Sequence, residues 1–214
     1  MTERQDNSLT FKLVYYGPAQ SGKTTNLLRL HDLLSPELKG EIMTMETKDD
    51  RTLFFDLLPL GFRAPSGLLI EFRLCTVPGQ VAHDGTRKAV LSRADGVVFV
   101  ADSDRSQETN NAESFKSMTE NCHRVGLDFE HLPLVVQFNK CDLPGAVPEA
   151  EIRQRWGAAP WPLVFAVALD GRGVEDTFRA LLASLYRRHS DDLGLAAEHG
   201  LDEAAFIAGG LGRA

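Results

Sequence analysis

The chain has 214 residues, of which 43% are hydrophobic and 25% are charged. These values are typical of a soluble globular protein with a sizeable core, most simply one domain with a modest appendage. The formal net charge of -7 argues against binding to nucleic acid or to an anionic membrane, because phosphate groups would repel the chain. We predict a cytoplasmic protein with reduced thiols and no integral membrane segment. The prediction rests on the polar start 1–8, the lack of a long apolar run and three scattered cysteines.

The first motif along the chain is a phosphate-binding motif. The apolar run 11–16 predicts a strand buried on both faces, and the segment 17–24 directly after it fits G-x-x-x-x-G-K-[ST]. Leucines at helical spacing from Leu27 to Leu34 predict the helix that such a loop needs. Backbone N–H groups of the loop would cradle phosphates, Lys23 would supply charge to the outer phosphates, and the Thr24 hydroxyl can ligate Mg²⁺. The predicted nucleotide contacts here are Gly17, Pro18, Ala19, Gln20, Ser21, Gly22, Lys23, Thr24 and Thr25.

Strands and helices alternate along the rest of the chain. Further strands are predicted at 52–60, 68–77, 96–101, 134–138 and 163–167, and helices at 107–125 and 174–188. The Gly- and Pro-rich segment 61–67 would turn a hairpin. The pattern predicts an α/β fold with a mostly parallel six-stranded sheet, one antiparallel edge strand and helices on both faces.

A change of composition divides the chain into a domain, 9–189, and a C-terminal extension, 190–214. The extension is rich in Ala, Gly, Asp and Glu. A loosely held tail is the favoured interpretation of it. A short helix around 201–207 that ends at Gly209 and Gly210, with a role in docking a partner or covering a switch, is the alternative.

A second motif indicates which base is bound. Asn139, Lys140, Cys141 and Asp142 follow the predicted strand 134–138 and fit Asn-Lys-x-Asp. The Asp142 carboxylate can accept both N1–H and the 2-amino group of guanine, a pairing that adenine cannot offer, so a P-loop ATPase or kinase is the less favoured interpretation. Lys140 would lie along the base plane. At the end of the last strand, the backbone N–H of Ala168 would meet guanine O6, with Val167 and Leu169 beside it.

The segment 76–80 reads Thr-Val-Pro-Gly-Gln where Ras-like GTPases have Asp-x-x-Gly-Gln. Gly79 would give a backbone N–H to the γ-phosphate, and Gln80 would orient the attacking water. Thr76 replaces the aspartate that usually holds the metal through water.

These motifs resemble the MglA family, the bacterial Ras-like GTPases of gliding motility and cell polarity. The likeness covers about 11–188 and is carried by Tyr15–Pro18, Gly22–Leu27, Asp50–Asp56, Thr76–Gln80 and Asp95–Ser103. It includes Thr76 in place of aspartate, which a generic Ras protein would not be expected to share.

The resemblance implies a role for several residues. Thr52 matches the switch threonine that ligates Mg²⁺, Arg51 matches a built-in arginine finger, and Gln80 matches the residue that positions water. It further implies GTP or GDP with Mg²⁺ as cofactors and slow hydrolysis, with Lys23, Arg51 and Gln80 catalytic. The family's activating partner is a roadblock/LC7-type dimer, MglB, which moves the switch strand. Polarity or motility effectors, recruitment to a cell pole and a monomeric chain complete the expectation.

One departure from the family pattern lies in the loop itself. Ala19 stands where the family has glycine, and its methyl group would crowd the catalytic glutamine and the γ-phosphate. Ala19 and Thr76 together leave an alternative open, a GTP-binding scaffold that does not hydrolyse its nucleotide.

Overall fold

A computed structural model describes residues 3–5, 7–46, 54–78 and 84–213. The strands are β1 (Glu3–Gln5), β2 (Ser8–Tyr16), β3 (Met43–Glu46), β4 (Phe54–Arg63), β5 (Leu69–Thr76), β6 (Gly96–Asp102), β7 (Leu134–Asn139) and β8 (Leu163–Phe165). The helices are α1 (Lys23–Leu33), α2 (Asp84–Leu91), α3 (Glu108–Arg124), α4 (Glu149–Trp156), α5 (Val174–His189) and α6 (Glu203–Gly210).

All the described strands join one sheet in the order β3-β4-β5-β2-β6-β7-β8, with β1 paired to β2. Strands β5, β2, β6, β7 and β8 run parallel, and β4 is antiparallel to β5, so the predicted α/β class is confirmed. The six predicted strands are all present, and the described part of the chain adds two more to the sheet. The two extra strands, β1 and β3, are three and four residues long and antiparallel to their neighbours, so they are too short for a sequence pattern to single them out. Because β3 pairs outside β4, the predicted edge strand is not at the edge.

Side chains of β2 alternate between two cores, which is why the run 11–16 is apolar apart from Lys12. Phe11, Leu13 and Tyr15 pack with α1, α5 and the C-terminal extension. Val14 and Tyr16 pack on the other face with residues of α2, α3 and α4. The carboxyl end of β2 therefore delivers the phosphate loop between two covered faces. Among the described residues, no helix is both long and apolar enough to cross a membrane.

The C-terminal extension is part of the first core, so the favoured interpretation of a loosely held tail is wrong for 190–213. Leu195, Leu201, Phe206 and Leu211 are buried in the same cluster as the sheet. The alternative, a short helix that ends at the Gly pair, matches α6. The Asp202 side chain caps this helix by accepting from the Ala205 N–H. The division of the chain into a domain, 9–189, and an extension, 190–214, stays a prediction.

Candidate nucleotide site

Glycine is required at two points of the phosphate loop. Gly17 has a φ of 146°, and a Cβ there would lie 2.2 Å from the Val100 carbonyl oxygen. Gly22 has a φ of 99°, and a Cβ there would lie 2.2 Å from the Asn139 Nδ2. A side chain at either position would collide with the Val100 carbonyl or with the Asn139 amide. Glycine therefore lets the loop lie against the ends of β6 and β7.

Lys23 is held inside the loop. Its side chain is 6% exposed, and Nζ donates to the carbonyls of Gly17 and Pro18 over 3.1 and 2.6 Å. Burial, helped by the charge of Arg87, lowers the pKa of Lys23 from 10.5 to about 7. A polyphosphate would counter both effects by supplying negative charge and hydrogen-bond acceptors to the ammonium. Keeping Lys23 charged in this loop therefore costs free energy when no anion is bound.

A cavity of about 350 Å³ opens beside the loop, where the phosphates of a nucleotide would lie. The residues that line it are Gln20, Gly22, Lys23, Thr24, Thr25, Asp56, Thr76, Val77 and Pro78. At the base of the loop, the buried Ser21 hydroxyl has no hydrogen-bond partner among the described residues. The structure thus brings Gln20, the predicted residues 22–25 and Thr76 together in one pocket.

Asp56 on β4 is a site residue that the motifs did not assign. Its Oδ2 accepts from the Thr24 hydroxyl over 2.6 Å and from the Thr76 hydroxyl over 3.2 Å, and its N–H donates to Thr76 Oγ1 over 2.9 Å. A carboxylate is therefore present beside Thr76 although that position of the motif lost its own. The available signal was an acidic residue inside the apolar strand 52–60, which a half-buried strand rarely carries without a partner.

The donor set at this point fits Mg²⁺. Thr24, Thr76 and Asp56 offer hydroxyl and carboxylate oxygens, the hard ligands that Mg²⁺ prefers alongside phosphate oxygens and water. The described residues contain no group of three or more His, Cys, Asp or Glu placed to hold a metal. A Mg²⁺ ion here would accordingly depend on nucleotide phosphates for much of its coordination.

Asn139 begins the segment 139–142 at the end of β7, here called the base loop, and links it to the phosphate loop, 17–24. Its buried amide donates to the Ser21 carbonyl over 2.8 Å, and its Oδ1 accepts from the Ala168 N–H over 2.8 Å. Its own carbonyl accepts from the Ser103 N–H. One side chain thus fixes both loops that would hold opposite ends of a nucleotide.

Lys140 and Asp142, the other two residues of the Asn-Lys-x-Asp motif, differ in whether their side chains have a partner. Lys140 has a φ of 66°, and its Nζ lies 2.5 Å from the buried Asp102 carboxylate. This ion pair fixes the stem of Lys140 along the top of β6. Asp142 is exposed, and its carboxylate makes no hydrogen bond or ion pair with the described residues. It is therefore available to a ligand.

The Ala168 N–H donates to Asn139 Oδ1 over 2.8 Å. Its contact with guanine O6 stays a prediction, and forming it would require this N–H to leave Asn139 or to be shared with it. Val167 and Ala168 are buried beside the base loop, while Leu169 is 71% exposed and its carbonyl accepts from Arg29.

Arg87 of α2 is a further residue that the motifs did not assign. It is 1% exposed, donates to the Pro78 carbonyl over 3.0 Å and lies 5.2 Å from the Tyr16 ring centroid. It anchors the backbone just before the Gly-Gln pair and adds positive charge near Lys23. The predicted residues Arg51, Thr52, Gly79 and Gln80 lie outside the described residues.

The parallel sheet, the phosphate loop at the end of β2 and the base loop at the end of β7 define a P-loop protein of the Ras-like GTPase fold. Over 170 residues the chain is 45% identical to the mutual gliding-motility protein MglA of Myxococcus xanthus, covering 79% of this chain and 87% of that protein. The chain belongs to the MglA family of Ras-like small GTPases.

More distant relatives match the chain over only part of their own length. Elongation factor 4 of Limosilactobacillus reuteri is 28% identical over 192 residues, and that of Streptococcus equi subsp. zooepidemicus is 26% identical over 192 residues. The match covers 85% of this chain but 30% of each elongation factor. No family model matches the chain.

Proposed function

We propose that the protein is a guanine-nucleotide switch that binds GTP or GDP with Mg²⁺ and hydrolyses GTP slowly by itself. The observation that carries the proposal is the Asn139 side chain, which ties the phosphate loop to the base loop while Asp142 is left open. A nucleotide bridging the two loops would meet Lys23 at its phosphates and Asp142 at its base.

Guanine specificity rests on the exposed Asp142 carboxylate. Its two oxygens can accept N1–H and the 2-amino group together, whereas adenine presents an acceptor at N1 and no 2-amino group. Because Asp142 supports no contact among the described residues, it can be changed without disturbing the loops around it. This separates base recognition from folding in an experiment.

Phosphoryl transfer would depend on positioning and electrostatics. Lys23 would hold the outer phosphates, Arg51 would stabilise developing charge, Gln80 would orient water, and Gly79 would give its N–H to the γ-phosphate. Mg²⁺, held by Thr24 and Thr52 and aided by Asp56, would neutralise phosphate charge when bound. Asp56 supports the enzymatic interpretation over the scaffold, because it restores a carboxylate beside Thr76.

The cellular role is proposed from the family. The name of the Myxococcus xanthus relative refers to gliding motility, and we propose a cytoplasmic switch in motility or cell polarity that is recruited to a cell pole. A roadblock-type dimer would activate it by moving β4, and a motility or polarity effector would recognise its GTP state. We expect the chain alone to be monomeric.

Base recognition is tested by competition against a fluorescent GDP analogue. Wild-type protein should prefer GDP over ADP and over XDP, and Asp142→Asn should prefer XDP, because an amide can donate to the 2-carbonyl of xanthine. The matched control is Asp170→Asn, another exposed aspartate on a loop at the same edge. If ADP displaced the analogue as well as GDP does, the base assignment would be wrong.

Hydrolysis is tested by single-turnover phosphate release with and without a cognate roadblock protein. We expect slow phosphate release by the protein alone and faster release with the partner. The rate with the partner should fall at least a hundredfold in Gln80→Ala and in Arg51→Ala, because removing an arginine finger costs roughly 10³–10⁵ in rate. Ala19→Gly should speed release. No release under either condition, with tight GTP binding retained, would favour the non-hydrolysing scaffold.

A further inference from the structure

A second cavity lies between α3 and α4, on the sheet face that α1 and α5 do not cover. Its volume is about 450 Å³, within the range of small-molecule sites, and none of its lining residues belongs to the phosphate loop. Its walls come from β6, β7, α3 and α4. It is therefore a space separate from the one proposed for phosphates.

Aromatic rings form the walls. The Phe115 ring lies 5.0 Å from that of Phe99 and 5.5 Å from that of Trp156, and Phe138 lies 5.7 Å from Trp156, all near-perpendicular. Phe99 and Phe138 stand on central strands, so this arrangement is held by the sheet. Such walls favour a flat aromatic guest, which can add further edge-to-face contacts and displace water from apolar surface.

Charges around the mouth are mostly compensated. Arg155 pairs with Glu108 and with Glu151, and Asp102 pairs with Lys140. Lys116 also lines the cavity, is exposed, and pairs with no carboxylate in the part of the chain that the structure describes. Asp104 also lines the cavity, makes no ion pair with the described residues, and accepts from the N–H and the hydroxyl of Ser106. Lys116 is therefore the lining cation that no described carboxylate engages, while the neighbouring charged groups already have partners.

We propose that this cavity binds a small amphipathic anion, a molecule with a flat aromatic body and one acidic group. The body would lie among the rings of Phe99, Phe115 and Trp156, and the acidic group would pair with Lys116. The proposal concerns a site remote from the phosphates and does not depend on the proposed function.

The test uses 8-anilinonaphthalene-1-sulfonate, a flat aromatic anion, titrated by fluorescence into the full chain with saturating GDP present. A probe of this size should saturate a single site with a Kd of about 20 µM. N-phenyl-1-naphthylamine, which has the same rings without the sulfonate, serves as the uncharged comparison. Lys116→Gln should weaken the anion about fivefold and leave the uncharged probe unchanged.

Filling the cavity tests its location. Ala112 is an exposed residue of α3 that lines the cavity, so Ala112→Phe should remove saturable binding of both probes. Ala112→Leu fills less of the cavity and should weaken the binding of both probes. It serves as the test variant where the larger ring impairs folding. Ala150→Phe is the matched control on an exposed turn of α4 outside the cavity. Absence of saturable binding to the wild type, or binding that survives Ala112→Phe and Ala112→Leu in folded protein, would overturn the site. A Lys116→Gln variant that binds the anion as tightly as the wild type would overturn the preference for an acidic group.

Discussion

Truncating Phe206 to alanine measures how far the C-terminal extension supports the sheet. The ring is fully buried and lies 5.7 Å from Phe72, 6.0 Å from Phe11 and 5.7 Å from Tyr186. Buried Phe→Ala substitutions cost about 3–5 kcal/mol, from lost transfer free energy and an unfilled cavity. Whole domains have about 5–15 kcal/mol of stability, so Phe206→Ala should remove a large part of it but leave a folded population.

The assay is urea unfolding followed by circular dichroism at one fixed nucleotide concentration, because a bound ligand also raises stability. Phe206→Leu should lose about 1–1.5 kcal/mol, since it keeps most of the apolar volume. The control is Leu33→Ala, at a helix position 51% exposed, which should change the free energy of unfolding by no more than about 0.5 kcal/mol. A loss below about 1 kcal/mol in Phe206→Ala would refute the argument that the extension belongs to the core.

Two further predictions concern the loops. Asn139→Ala leaves the Ser21 carbonyl and the Ala168 N–H without their buried partner, so it should cost about 2–4 kcal/mol in urea unfolding and weaken GDP at least tenfold; unchanged GDP affinity would contradict its bridging role. For Lys23, the pKa is about 7 in the folded protein against an ordinary value of 10.5, so the unfolded chain binds more protons between these values and stability without nucleotide should rise with pH across that window. Between pH 7 and 9 the rise should be about 2 kcal/mol, absent in Lys23→Met and retained in Lys116→Met.

Sequence patterns predicted the framework of the site because its chemistry is local. The phosphate loop needs glycines and a lysine in one short segment between a strand and a helix, and such a pattern can be seen without a structure. The same holds for Asn139 and Asp142, which follow an apolar strand. The central strands were predicted for a similar reason, since burial on both faces leaves a run that is mostly apolar.

Contacts between distant segments could not be predicted in this way. Asp56 meets Thr24 and Thr76 only because β4 pairs antiparallel with β5, a register that no single segment encodes. Phe206 gave no periodic signal either, because α6 is apolar on more than one face and its burial depends on a groove formed by other elements. The hydrogen bond from the Ala168 N–H to Asn139 Oδ1 could not be predicted either, because neither motif shows that the two segments meet.

The order of synthesis gives α6 a consequence beyond stability. A ribosome makes chains from the amino end, so every other element that packs against Phe11 and Phe72 is complete before 203–211 exist. Until then this face of the nascent sheet has an open aromatic groove, a surface that chaperones bind and that promotes aggregation. A message that ends before Phe206 would therefore release a nearly complete chain in an aggregation-prone form.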